Sequence, residues 1–390
     1  MQNKNLKLLI FLILLFIGGI SACYFSSPSI EKMVGQMIMT GFHGDGTDEN
    51  DKDFAAIETQ IKTGQIGGVI LFDVDISGLT AKGMPIAAAK KQIFSSNIKS
   101  TDQLKKLNEH LQSIAPTKLL IAIDQEGGNV QRLKHAHGFA SIPSAKNMGK
   151  NDSEKTYEIA YDLGTRLSDL GINVDFAPLL DVDVNPKSPA IGAQERSFSS
   201  DPAIVTKHGA AFARGLSDAN IAYSFKHFPG HGSATTDTHA GLTDITKTYQ
   251  DYELNPWRDL LKNASPYTMV MVAHVINNNF DSLPASLSYK TIKMVRDMGF
   301  DGVIISDDMD MGAIVNEYGF EKAIEMAINA GNDILIFGNN LTFDKNRGHD
   351  VNEAIVKMVK EGKIKKSQIR ESYHRIMKLK ENMRPRNNRE

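Results

Sequence analysis

The 390-residue chain sets 44 Lys and Arg against 46 Asp and Glu, carries a formal net charge of −2 and contains a single Cys. A balance this close to zero supplies no electrostatic footprint for nucleic acid, and a lone Cys excludes an internal disulfide. The length admits one large barrel or two domains.

At the N-terminus, Lys4 and Lys7 form a short basic start and Leu8 to Phe16 is an unbroken apolar run. Small residues then lead to Cys23. The pattern is that of a secretory signal, and the apolar run is short for a spanning helix, which needs about 20 residues. Ile20-Ser21-Ala22-Cys23 resembles the bacterial lipoprotein box, where cleavage precedes a lipid-modified Cys. The expectation is a signal over residues 1–22 and a tether over 23–29 with lipidation at Cys23. The body would then sit in the cell envelope, anchored to a membrane and facing periplasm or exterior. The alternative is an uncleaved anchor with an incidental Cys.

Past residue 30, apolar β-branched runs alternate with helical patterns. Strands are predicted at Met37–Phe42, Gly67–Phe72, Leu119–Asp124, Ile172–Leu180, Ala222–Phe228, Thr268–Val275, Gly302–Asp307 and Asp333–Phe337. Most are continuous apolar runs, as parallel strands buried on both faces require. Between them, Ser100-x-x-Gln103 is a capping-box pattern ahead of Leu104, Leu107 and Leu111. Ile159, Leu163, Leu167 and Leu170 make an apolar stripe that stops at Gly171. Asp201-Pro202 supplies an N-cap and a first-turn Pro.

Strand–helix alternation of this kind predicts an α/β protein with a single (β/α)8 TIM barrel over residues 30–383 and a polar tail over 384–390. A doubly wound open sheet is the other solution, but no Gly-rich dinucleotide fingerprint follows the first strand. Asp73 to Ser95 lacks a clean period and is expected to be a surface excursion. The acidic stretch Asp45 to Asp53 lacks the ligand order of a calcium loop and is expected to be solvated. One charged helical stretch, about Val351 to Met383, follows the last strand.

In a barrel, polar residues at the C-terminal ends of strands are the catalytic candidates. Here these are Asp124, Asp181 and Asp183, Lys226-His227, His274, and Asp307-Asp308. The group is rich in carboxylates with a few cations, and it contains neither a nucleophile elbow nor a phosphate loop. Paired carboxylates facing a polar ligand suggest glycoside hydrolysis. His227 and His231 have the i, i+4 spacing of zinc ligands, but Pro229 and Gly230 between them break the helix that makes such spacing useful. No metal site is expected.

The motif Lys226-His227-Phe228-Pro229-Gly230-His231-Gly232 with Asp237-Thr238-His239 resembles the signature of family 3 glycoside hydrolases, specifically the NagZ-type β-N-acetylglucosaminidases. Asp124-Gln125-Glu126-Gly127-Gly128 with Gln131-Arg132 matches in order. So do Asp175-Phe176-Ala177-Pro178, Glu195-Arg196-Ser197-Phe198, Pro284-Ala285-Ser286-Leu287-Ser288 and Ser306-Asp307-Asp308.

The resemblance implies a retaining exo-β-N-acetylglucosaminidase that removes terminal GlcNAc from peptidoglycan-derived glycans. It implies Asp307 as nucleophile, His239 as acid/base and Asp237 as its orienting partner. It assigns Asp124, Arg132, Arg196, Lys226 and His227 to sugar binding. Residue chemistry alone leaves Asp307 and Asp308 interchangeable, since either can cap the following turn. The Gly232–Thr236 loop is expected to let the Asp237–His239 pair swing. His274 is expected to line the pocket, and Asp175, Asp181 and Asp183 to support it from behind. No cofactor is implied, and a monomer is expected. A β-glucosidase-like or phosphorolytic member of the family, or a glycan-binding lipoprotein without turnover, are the other readings. Family β-glucosidases that take an acid/base Glu from a second domain fit less well, because little chain follows the last strand.

Overall fold

The computed structural model describes residues 28–84, 88, 96–238 and 241–383. The signal segment, Cys23, His239 and the polar tail lie outside the described residues, as does most of the second half of the Asp73–Ser95 segment.

Parallel strands close into an eight-stranded barrel in which every neighbour in sequence is a neighbour in space. They are β1 (Ile38–Gly41), β2 (Gly68–Ile70), β3 (Leu120–Ile123), β4 (Val174–Asp175), β5 (Ala222–Phe228), β6 (Thr268–Val272), β7 (Val303–Asp308) and β8 (Ile334–Phe337). β8 returns to β1, with Met39 opposite Ile336 on one side and Gly68 on the other. Seven strands fall inside their predicted apolar runs, and β7, predicted as Gly302–Asp307, runs one residue further, to Asp308. Residues of β1, β3 and β6 are buried throughout, because side chains fill the barrel inside and helices cover it outside.

The largest correction is the fourth strand, predicted as Ile172–Leu180 and observed as Val174–Asp175. Pro178 has no N–H to give a ladder. Beyond it the chain makes one isolated bridge, Leu179 to Lys226. This early release carries Asp181 over the barrel mouth.

Local signals mostly act as predicted. Ser100 Oγ accepts from Gln103 N, while Gln103 Oε1 reaches one residue further back, to Lys99 N at 2.9 Å. Asp201 caps the helix Pro202–Asp218 through Ala203 N. The expected C-terminal stretch is two helices, Arg347–Lys360 and Lys366–Asn382, separated at Gly362, whose φ of 75° suits glycine.

The Asp73–Ser95 segment is not wholly a surface excursion. Asp73 and Val74 are buried, and Ile76–Ala81 is a helix. Asn340, just past β8, holds this segment by accepting from Ile76 N and donating to Val74 O. In the acidic stretch, Asp51 caps the helix Lys52–Lys62. Asp45 is buried rather than solvated and pairs with Lys99. Among the described residues no helix is long and apolar enough to cross a membrane.

Candidate active site

The C-terminal rim of the barrel gathers the predicted charges into one network. Lys226, at the end of β5, is 2% exposed. Its Nζ lies 3.0 Å from Asp124 Oδ1 and 2.6 Å from Glu126 Oε1. Arg196 grips the same Glu126 with two parallel bonds, Nε to Oε2 at 2.8 Å and Nη2 to Oε1 at 2.7 Å, and donates to Ala190 O. Arg132 donates to Asp124 Oδ2 at 3.0 Å. Its guanidinium also lies over the Phe72 ring.

Burial alone would raise the Asp124 carboxyl, but Lys226 and Arg132 hold it well below the usual carboxylate range. Burial likewise opposes the Glu126 charge, and Arg196 and Lys226 reverse it. Burial would also discharge Lys226, and the same two carboxylates keep it an ammonium. The network is self-consistent only when all members are charged.

Lys226 is therefore a counter-ion beneath the site. Asp124, 18% exposed, and Arg132, 27% exposed, are the members that reach outward. Glu126 is the residue that sequence reasoning missed. Its signal was charge balance: Arg132, Arg196 and Lys226 were all assigned to sugar binding with Asp124 as the one carboxylate among them. The turn that presents Arg132 is set by Gln125, whose Oε1 accepts from Arg132 N and Leu133 N.

His227 departs from expectation. Its Nδ1 is 2.7 Å from Asp181 Oδ2, and Arg196 Nη2 is 3.4 Å from its Nε2. Arginine only donates, so Nε2 is bare and Nδ1 carries the hydrogen. Burial first, and Arg196 second, push this imidazole well below its ordinary range. His227 is thus a neutral acceptor, not one of the cations expected to donate to sugar. The Asp237, Asp124, Arg132 and Arg196 side chains all remain partly exposed.

Asp181 organises the next turn. It accepts from His227 N and from His231 N, the latter at 2.7 Å. Burial pushes its carboxyl up, and the His231 ring and these N–H groups pull against it. Asp175 is fully buried, accepts from Gln125 N and is pushed well above the carboxylate range by burial. Both support the rim from behind, as expected. Asp183 is also buried, 3.8 Å from Lys146.

The glycines of the motif serve packing rather than motion. A Cβ on Gly232 would sit 1.7 Å from Val182 O, and Gly230 has φ of +135°. Asn185 N donates to Gly232 O and Asn185 Nδ2 to Ala234 O. The loop root is fixed, and exposed chain begins only at Thr235. The expected tether therefore shortens to Thr235 and Thr236 before Asp237. Asp237 is partly exposed.

Glu253 buttresses this root. It is fully buried, accepts from Gln250 N, and its Oε2 lies 3.2 Å from where a Gly230 Cβ would be. Burial pushes its carboxyl from 4.5 up to about 7, against the hydrogen bond from Gln250 N. Between those values the native state holds a proton that the unfolded chain has released, so stability falls as pH rises through that window. The cost above pH 7 is on the order of 3 kcal/mol. Glu253→Gln, a neutral isostere, is expected to resist denaturant better than the parent at pH 8 and equally at pH 4. Equal differences at both pH values in urea melts would contradict this.

Asp307 and Asp308 end β7 and are distinguished by their partners. Asp308 Oδ1 accepts from Gly338 N at 2.7 Å and from Asp310 N at 3.0 Å, turning its carboxyl toward β8. Burial, then the Asp310 carboxyl, push Asp308 up. Asp307 Oδ1 accepts from Asp308 N at 2.8 Å, and its charge acts on both His227 and His231. Asp307 thus belongs to the rim and Asp308 to the wall. His274 is completely buried and does not line the pocket.

Among the described residues no group of three or more His, Cys, Asp or Glu is placed to hold a metal ion.

The Glycosyl hydrolase family 3 N terminal domain matches residues 29–379. A beta-hexosaminidase of Hydrogenovibrio crunogenus is 36% identical over 260 residues, which cover 64% of this chain and 71% of that protein. A family 3 beta-N-acetylglucosaminidase from Paenibacillus superposes with TM-score 0.79 at 31% identity, over 92% of this chain and 63% of the other. The chain thus spans under two thirds of that longer relative. A family 3 glycosyl hydrolase from Mycobacterium smegmatis superposes with TM-score 0.73 at 29% identity, over 92% of this chain and 98% of the other. Barrel, motif order and matched length agree: the chain belongs to glycosyl hydrolase family 3, through that family's N-terminal domain.

Proposed function

We propose that the protein is a retaining β-N-acetylhexosaminidase that removes terminal β-linked GlcNAc from peptidoglycan-derived glycans. The observation that carries this reading is the separation of the two aspartates at the end of β7. One is held in the wall, and the other acts on the rim beside a charged floor built on Asp124. Relatives named for hexosaminidase and β-N-acetylglucosaminidase activity support it.

In the first step an Asp307 carboxylate oxygen bonds to the anomeric carbon as the glycosidic C–O bond breaks, and His239 gives its proton to the departing oxygen. In the second, water bonds to that carbon, its proton passes to His239, and the Asp307 ester bond breaks. Two inversions restore the β configuration. His titrates near neutrality, so it serves as acid and then base. Asp237 stabilises the imidazolium. Asp124 accepts from sugar hydroxyls, and Arg132 and Arg196 donate to hydroxyls and to the N-acetyl carbonyl. His227 accepts from Arg196 and steadies that guanidinium, with Lys226 holding the floor in place. No cofactor enters.

Chromogenic β-GlcNAc and β-glucosyl substrates, with and without phosphate, test the reading. GlcNAc release that is indifferent to phosphate is expected, and free GlcNAc is expected from murein fragments. Preference for glucosides, or turnover only with phosphate, would favour the other family chemistries. No sugar release at all would leave a glycan-binding protein.

We also propose that Cys23 carries a lipid anchor holding the enzyme as a monomer at the envelope surface, on the strength of its position after the apolar N-terminal run. Palmitate labelling in the native host is expected for the parent and lost in Cys23→Ser. Equal labelling of both would overturn it.

A further inference from the structure

We infer that His274 is a positioning residue for the nucleophile, acting through the backbone of Asp308; this rests on Asp307 being that nucleophile. β6 and β7 pair in register as far as Val272 and Ser306. Beyond that point only the pairing with β5 continues, Ala273 N donating to Phe228 O. The ladder that would have served the end of β7 stops, and the His274 ring replaces it, with Nε2 2.9 Å from Asp308 O. On the other edge of the ring, Nδ1 is 2.6 Å from Ser286 Oγ.

A carbonyl only accepts, so Nε2 carries the hydrogen. In the neutral ring Nδ1 is then the acceptor, and the Ser286 hydroxyl donates to it. Ser286 is itself buried and fixed, its N donating to Ala273 O and its O accepting from Asn332 Nδ2. The Asp308 carbonyl therefore selects the tautomer, and the Ser286 hydroxyl, free to donate, satisfies the bare Nδ1.

Asp308 is thereby held at both of its acceptors. Its carbonyl is held from the β6 side by His274 and, locally, by Met311 N, and its carboxyl from the β8 side by Gly338 N and, locally, by Asp310 N. Its remaining polar group, the N–H, donates to Asp307 Oδ1 at 2.8 Å. The order Ser286, His274, Asp308, Asp307 is a continuous path of hydrogen bonds that aims the attacking carboxylate. His274 touches no sugar in this arrangement. Its contribution is to the alignment of an oxygen that must approach the anomeric carbon in line, where a displacement of about 1 Å costs roughly 100-fold in rate.

The test compares His274→Leu with His274→Gln, whose amide Nε2 reaches nearly the same point and still donates. With an aryl β-N-acetylglucosaminide, His274→Leu is expected to lower kcat by about 10- to 100-fold with KM within about twofold. His274→Gln is expected to restore kcat to within about threefold of the parent. A Gln variant as slow as the Leu variant, or a change in KM with kcat preserved, would overturn the assignment. Ser286→Ala is expected to lower kcat by a smaller factor and provides the kinetic test should the Leu variant fail to fold.

Nitrogen-15 NMR of the histidine rings in the substrate-free enzyme gives a second readout, independent of the sugar. A His274 ring with hydrogen on Nε2 and bare Nδ1 is expected, and hydrogen on Nδ1 alone would overturn the assignment. Should the parent turn over no β-glycoside, the hexosaminidase reading falls, while the tautomer still decides whether His274 holds the Asp308 carbonyl.

Discussion

Asp307→Asn is expected to lower kcat by at least about 10⁴-fold while leaving the fold and the affinity for GlcNAc-type ligands within a few-fold of the parent. The amide cannot form the glycosyl ester, and the charge it removes is one that acts on His227 and His231 rather than one that stabilises the wall. Asp308→Asn is the matched control. The Asp308 carboxyl is pushed toward its neutral form by burial and by Asp310, and an amide oxygen can accept from Gly338 N and Asp310 N as the carboxylate does. Its kcat is expected to stay within about tenfold. Kinetics with an activated aryl substrate, and calorimetry with a GlcNAc-derived inhibitor, read both quantities. An Asp307→Asn enzyme of near-parental rate would remove the nucleophile from its place.

Lys226→Met is expected to be the most destabilising single change at the rim. It leaves Asp124 with Arg132 alone, and Glu126 with Arg196 alone, in a region where burial opposes both charges. Breaking a buried charge pair by removing one partner costs about 3–5 kcal/mol, and a loss of that order is expected in denaturant melts near neutral pH. Asp124 is held ionised first by Lys226, so its carboxyl is expected to titrate higher in the variant. The sugar-facing acceptor weakens, and kcat/KM is expected to fall by about 100-fold. The double variant Lys226→Met with Glu126→Gln is expected to recover part of the lost stability but not the activity, because the neutral amide no longer needs the ammonium. If Lys226→Met melts within about 0.5 kcal/mol of the parent, the network does not carry the stability assigned to it here.

Much of this was legible in the sequence for physical reasons. Barrel strands buried on both faces read as continuous apolar runs, and all eight lie at their predicted segments, with only β7 running one residue past its expected end, to Asp308. Catalytic candidates were legible because the barrel puts polar residues at strand ends, where an apolar run breaks into charge. Periodicity could not show that a strand ends early, and the fourth stopped at Asp175 because of Pro178.

Partner choice was the other hidden quantity. Asp307 and Asp308 are chemically identical, and only the N–H groups of Gly338 and Asp310 tell them apart. Lys226 and His227 are adjacent basic residues in sequence, yet one is a charged counter-ion and the other a neutral acceptor. Two carboxylates hold the charge on the first, whereas burial and Arg196 keep the second neutral despite the Asp181 carboxylate beside it. The Gly232–Thr236 loop looked like a hinge, and a close approach to Val182 made Gly232 a packing requirement.

Mass spectrometry after reaction with a slow fluorinated GlcNAc donor, which accumulates the covalent intermediate, tests the central claim most directly. A gain of one fluorinated sugar on the intact protein is expected, with the modified peptide carrying the label on Asp307. Label on Asp308, or product formed with inverted configuration and no covalent adduct, would contradict it.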